Sequence, residues 1–215
     1  MGKITYLSIV LVLITSCTGR NQEKSLTEPS KITSRLNDEV FDCNDKAFNL
    51  IEKSKAVQQS LKDSLLAEAI SLIDDCLKQD SSFVSYYVNK ANAFYNLNKF
   101  NGAIVALEDG FNYTNHPSLL FTIGILYEKE GDNTKASVYF TNALTRYDSL
   151  LSTGNYTPSD EINREYVKLM LYGKRKTIED LKDRKKMGEN KERVKFLIDA
   201  IEPLTKDQII SSTFN

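Results

Sequence analysis

Six residues of this 215-residue chain recur in kind at one fixed distance. Tyr87, Ala91, Phe94, Ala103, Leu107 and Gly110 are followed 33 positions later by Leu120, Gly124, Tyr127, Ala136, Phe140 and Ala143. Within each set the steps are four and then three residues, the spacing that keeps side chains on one face of a helix. A chain that repeats a helix pair at this period cannot bury each pair alone and must stack one against the next. A weaker earlier copy, Ala69, Ile73 and Cys76, precedes Ala103, Leu107 and Gly110 by nearly the same distance. Its helix is expected from Ser64 to about Lys78, after a partner from about Asn44 to Ser60 that has Val57 where a small residue belongs.

The punctuation agrees with this period. Asn98-Lys99-Phe100-Asn101 and Gly131-Asp132-Asn133-Thr134 stand where each helix pair must turn, and Asn115-His116-Pro117 divides one pair from the next. With only 4 Pro and 9 Gly the composition favours helices over a turn-rich β fold. A period of 33–34 with small residues at set places in two helices resembles the tetratricopeptide repeat. The resemblance covers about half of the chain. It implies an all-α, right-handed α-solenoid of about three such hairpins over residues 38–150. Small residues would let helices approach within a repeat (Ala91 with Ala103, Gly124 with Ala136) and between repeats (Gly110, Ala143).

Beyond Tyr147 the period stops. Thr157-Pro158-Ser159-Asp160 is a helix start, with Thr157 as N-cap, Pro158 at the first helical position and Asp160 at the third. Ile162, Tyr166, Leu169 and Met170 continue one apolar stripe to about Gly173. Further helices are expected at about Thr177–Lys186 and Lys191–Ile201, with Thr205-Lys206-Asp207-Gln208 opening a short last one. Residues 151–215 therefore read as a divergent repeat with C-terminal capping helices, which an open stack needs at its end.

Residues 1–16 read as an address. Lys3 precedes an apolar run from Ile4 to Ile14 that is too short to span a bilayer as a helix. Ile14-Thr15-Ser16-Cys17 then resembles the lipobox of bacterial lipoproteins, which implies cleavage before Cys17 and lipid, palmitate included, on that residue. Two or three acyl chains give stable anchoring. Thr18 in place of Asp resembles lipoproteins sorted to the outer membrane, so the periplasmic face of that membrane is the expected location. Residues 17–37 are polar, carry Pro29 and read as a flexible tether.

Candidate chemistry is sparse. A net charge of -1 from 28 Lys+Arg and 29 Asp+Glu argues against nucleic-acid binding. His116 is the single imidazole, in a turn, and no phosphate loop, dinucleotide turn or zinc motif is present. The expectation is a protein that is no enzyme, with no cofactor, no metal and no small-molecule substrate. Asp74-Asp75 and Glu179-Asp180 read as solvated helix-face charge. Cys43 and Cys76 sit at helix ends that should meet, so they form either a bridge or two buried thiols. Residues 168–195 hold 11 Lys/Arg against 5 Asp/Glu, either a solvated capping face or a contact for anionic headgroups or an acidic partner. Asp63-Ser64-Leu65 and Asp148-Ser149-Leu150 resemble a short envelope O-glycosylation motif, and Ser64 also suits a helix N-cap.

In the tetratricopeptide family the first helix of each pair lines a concave groove that holds peptide segments. Alignment places Ser85, Val88, Asn89, Asn92, Tyr95 and Asn96 there in one repeat, and Ser118, Phe121, Thr122, Ile125, Glu128 and Lys129 in the next. The Asn amides would bracket an extended backbone over an apolar floor of Phe121 and Ile125. The basic pair that clamps a terminal carboxylate in chaperone-binding members is absent. The implied role is an envelope adaptor that binds a protein segment, within an outer-membrane assembly or secretion machine. The alternatives are a purely structural subunit and a peptidoglycan- or glycan-binding accessory.

Overall fold

The computed structural model describes residues 31–214, with side chains from Cys43 onward, and the expected signal segment and Cys17 lie outside these residues. The described residues form ten helices and no strand. They fall into two compact units that divide between Asn115 and His116.

The first unit holds α1 (Lys31–Ser54), α2 (Gln59–Gln79), α3 (Val84–Asn96) and α4 (Phe100–Thr114). Several boundaries differ from the sequence reading: α1 ends at Ser54 and not near Ser60, and the helix expected from Thr177 opens at Lys174. α1 takes in Lys31–Asn37 of the expected tether, a stretch that holds no Gly or Pro to break a helix. α2 begins at Gln59, so Ser64 is an interior residue of that helix and not its N-cap. Each helix packs on its chain neighbour, and α3 also reaches α1. Ala47, Ile73, Cys76 and Tyr86 form one buried cluster, and Ile51, Leu66, Ala69 and Ala93 form a second. Burial pushes the Tyr86 phenol up to about 12. Cys43 of α1 and Cys76 of α2 are joined, with Cα atoms 6.4 Å apart.

The small residues act through close approach. Gly110 of α4 meets Cβ and Cγ of Tyr87 on α3, so it serves its own hairpin, where the sequence placed it between repeats. A Tyr ring needs more depth than a Cβ at this position would leave. The unit ends at Asn115, which adopts the left-handed conformation (φ 53°) and gives its N–H to the Phe111 carbonyl.

The second unit holds α5 (Pro117–Lys129), α6 (Asn133–Ser152), α7 (Pro158–Tyr172), α8 (Lys174–Lys186), α9 (Lys191–Ile201) and α10 (Lys206–Thr213). Capping explains five of the six starts, α8 following Gly173 with no side-chain cap. His116, Asp132 and Asn190 cap α5, α6 and α9, and Thr157–Asp160 and Thr205–Gln208 form reciprocal capping boxes on α7 and α10. α7 packs against α5, α6, α8, α9 and α10. From Asp160 to Met170 only Arg164 is not buried, so α7 is the central helix of this unit. Tyr166 within it has a phenol raised to about 12 by burial.

Gly124 of α5 sits against Phe140 of α6, where an added Cβ would lie 2.5 Å from two ring carbons. The equivalent positions one period earlier are Ala91 and Leu107. One hairpin thus pairs a smaller residue with a larger ring, and the other an Ala with a Leu. The Gly110–Tyr87 pair answers Ala143–Leu120 in the same compensating way. If the two hairpins share one packing scheme, Gly124→Ala alone is expected to cost about 1–3 kcal/mol by overpacking. Phe140→Leu should destabilise the wild type yet stabilise the Gly124→Ala chain. Urea denaturation of the four chains measures this, and simple additivity of the two losses would defeat the equivalence.

Candidate interaction face

The first helices of the two hairpins, α3 and α5, carry the residues expected to line a groove, and many of them are covered by the chain itself. Ser85, Asn89 and Asn92 of α3 are buried. The Asn89 amide donates to Asn44 Oδ1 of α1 at 2.9 Å. Asn92 accepts from the Asn96 amide, at 2.7 Å on its Oδ1 and 3.0 Å on its backbone oxygen. These amides are spent inside the first unit, so Asn89 and Asn92 do not reach out to bracket a bound backbone. Val88, Tyr95 and Asn96 remain half-buried and face the surface of α3.

On α5 the correction is larger. Phe121 and Ile125 are 2% and 1% exposed and cannot floor an open groove. Phe121 turns toward α6, its ring 5.8 Å from that of Phe140. Thr122 is also buried and returns its hydroxyl to the Ser118 carbonyl at 2.8 Å. Glu128 and Lys129 are half-buried, and the C-terminal segment is what they meet. Lys206 of α10 pairs with Glu128 at 2.5 Å. The Lys129 ammonium donates to the Phe214 carbonyl at 3.2 Å and lies 5.8 Å from the centre of its ring. Burial holds the Lys129 ammonium below the usual lysine range. Ile209, Thr213 and Phe214 are buried, so α10 is seated across the end of α5.

His116, Ser118 and Asp160 form a hydrogen-bonded chain that sequence reading did not assemble. His116 Nδ1 lies 2.7 Å from Ser118 Oγ, and Nε2 lies 3.3 Å from Asp160 Oδ1. The same Nδ1 accepts the Ser118 backbone N–H at 3.3 Å, as a helix cap does. The nitrogen that would have to take a serine proton is thus already engaged, and the chain of bonds fixes the start of α5 to the start of α7. Burial disfavours charge on Asp160, but bonds from His116 and Thr157 outweigh it and hold the carboxyl below its ordinary value. Among the described residues no group of three His, Cys, Asp or Glu could hold a metal ion.

The basic C-terminal stretch is not uniformly solvated. Glu165 is 0% exposed on α7, and its Oε1 accepts from Arg164 at 2.7 Å and from Arg184 at 2.8 Å. Glu161, also buried, takes Arg193 Nε at 2.8 Å. Glu189 forms a two-bond fork with Arg184, both bonds 2.7 Å. Those bonds from Arg184 keep the Glu189 carboxyl below its usual range against burial. Of the acidic pairs, Asp74 meets Lys90 at 2.6 Å and Asp75 meets Lys78 at 2.8 Å, while Asp180 joins Lys176 at 2.7 Å and Lys168 at 3.3 Å. Among the described residues, no helix is long and apolar enough to cross a membrane. No family model, curated protein or solved structure matches the chain.

Proposed function

We propose that this chain is a lipid-anchored adaptor of the bacterial envelope, built as a right-handed solenoid of tetratricopeptide-like hairpins, whose α3 face takes a helical segment of a partner protein. The observation that supports this reading is the seat of α10. Glu128 and Lys129, where α10 rests, stand one period after Tyr95 and Asn96 of α3. The chain therefore seats a short helix, followed by an aromatic residue, on α5, and the equivalent residues of α3, Tyr95 and Asn96, are half-buried. A face that accepts an amphipathic helix in one hairpin suits the same ligand class in its sister. Cys17 would supply the anchor, and the periplasmic face of the outer membrane is the proposed location.

A second reading, a structural subunit held by its outer helices, has one observation in its favour. Val105 of α4 and Val138 of α6 are both exposed and stand one period apart, so the second helix of each hairpin repeats an exposed apolar position. In-cell photocrosslinking separates the two readings. A crosslinker replacing Tyr95 is expected to give one discrete protein adduct, and one replacing Val138 none. Unseating α10 with Lys206→Glu and Phe214→Ala should add a new adduct from position 128. Adducts from Val138 alone would support the subunit reading and overturn the adaptor.

A further inference from the structure

Three arginines of the second unit, Arg164, Arg184 and Arg193, hold the carboxylates of Glu161, Glu165 and Glu189, while Arg146 and Arg175 are exposed. Glu189 is the one carboxylate in the turn 187–190, and its fork with Arg184 offsets its charge there. What the α8–α9 turn leaves exposed is lysine: Lys182, Lys185, Lys186 and Lys191. The carboxylates exposed beside them are Asp183, which pairs with Lys186 at 2.8 Å, and Glu192. At the start of the turn Met187 is 85% exposed, and Phe196 of α9 is 48% exposed.

A methionine so far out of the fold contributes nothing to the core. Set among flexible ammonium stems, it has the make-up of an interfacial contact: an apolar tip that enters the headgroup layer while lysines reach phosphate. An acidic protein partner fits less well. A stable protein interface needs roughly 800 Å² on each side, whereas a bilayer accepts a single protruding side chain. We infer that the α8–α9 turn docks on an anionic phospholipid surface through Met187 and its surrounding lysines. The inference rests on the proposed function only in that an anchor at Cys17 would keep the turn within reach of a bilayer.

The sequence contains no Trp, so Met187→Trp in the full chain gives one reporter indole. On vesicles of phosphatidylcholine with phosphatidylglycerol, its emission should shift to the blue and be quenched by acyl-brominated lipid. Neither change should occur on phosphatidylcholine alone, and both should fade in high salt. Adding Lys185→Glu and Lys186→Glu to this chain should weaken the response by more than about tenfold without changing the helical circular dichroism. An indole that stays in water on anionic vesicles overturns the inference, as does an equal shift with polyglutamate. A lipidated chain that sediments with vesicles while its indole stays in water would defeat the docking turn and leave the anchor standing. A chain with no lipid on Cys17 whose indole still inserts would do the reverse.

Discussion

A chain with Arg164→Met and Arg184→Met is expected to lose about 3–5 kcal/mol of stability, among the largest effects any exposed-looking pair in this sequence could have. The cost falls on Glu165. Its carboxylate is wholly buried, and its Oε1 accepts from both guanidinium groups. Without them its nearest cation is Lys168, 3.5 Å from Oε2. A buried carboxylate cannot turn to water, whereas the arginines can, since their side chains are partly exposed. The effects should therefore be asymmetric. Glu165→Leu alone is expected to cost about 1 kcal/mol, and adding it to the double arginine variant should restore most of the loss, because apolar replacement of a whole buried ion group is often close to neutral. Chemical denaturation of the single, double and triple variants measures this. A triple variant no more stable than the double would show that the arginines act through something other than Glu165.

The same network marks where the sequence was readable and where it was not. Local signals carried over well. Thr157-Pro158-Ser159-Asp160 opens α7, Thr205 and Gln208 cap α10, and α9 spans Lys191–Ile201, because caps and turns are decided within a few residues. The compensating pairs at Gly124–Phe140 and Gly110–Tyr87 were visible as a period, although the period did not say that Gly110 faces its own hairpin. Long-range matters were hidden. Arg193 and Glu161 are 32 residues apart, and Lys129 and the Phe214 carbonyl are 85 apart, so nothing local announces either contact. Charge on α7 looks like a solvated face by composition, and only the helices packed around it turn it into a core. The burial of several expected groove residues was hidden for a related reason. Alignment places Phe121, Ile125 and Glu128 on the first helix of a repeat, but whether α10 or solvent covers that helix is a tertiary outcome.

Reduction, or the pair Cys43→Ser and Cys76→Ser, is expected to lower stability by about 3–4 kcal/mol in the chain-entropy model for a loop of this size. The bridge joins positions with a sequence separation of 33 and ties α1 to α2. That is the hairpin with the weakest repeat signature, in which α1 has Val57 beyond its end and no small residue to match Ala91 or Gly124. Among the residues whose side chains are described, it buries Ala47 and Ile51 with Ile73, Leu66 and Ala69, fewer large side chains than the α5–α6 hairpin buries. A covalent tie there offsets thin packing by restricting the unfolded chain. The same bond bears on the proposed envelope location, since disulfides persist in the periplasm and are rare in the reducing cytosol. Melting with and without reductant should show a shift of about 6–16 °C if the chain unfolds as one unit of this size. Free thiols at both positions, found by non-reducing mass spectrometry of protein taken from cells, would remove the staple and with it one support for an oxidising compartment. A bridged chain whose melting does not move on reduction would place the stability of the first unit in its α1–α3 contacts, of which the buried Asn89–Asn44 hydrogen bond is the clearest.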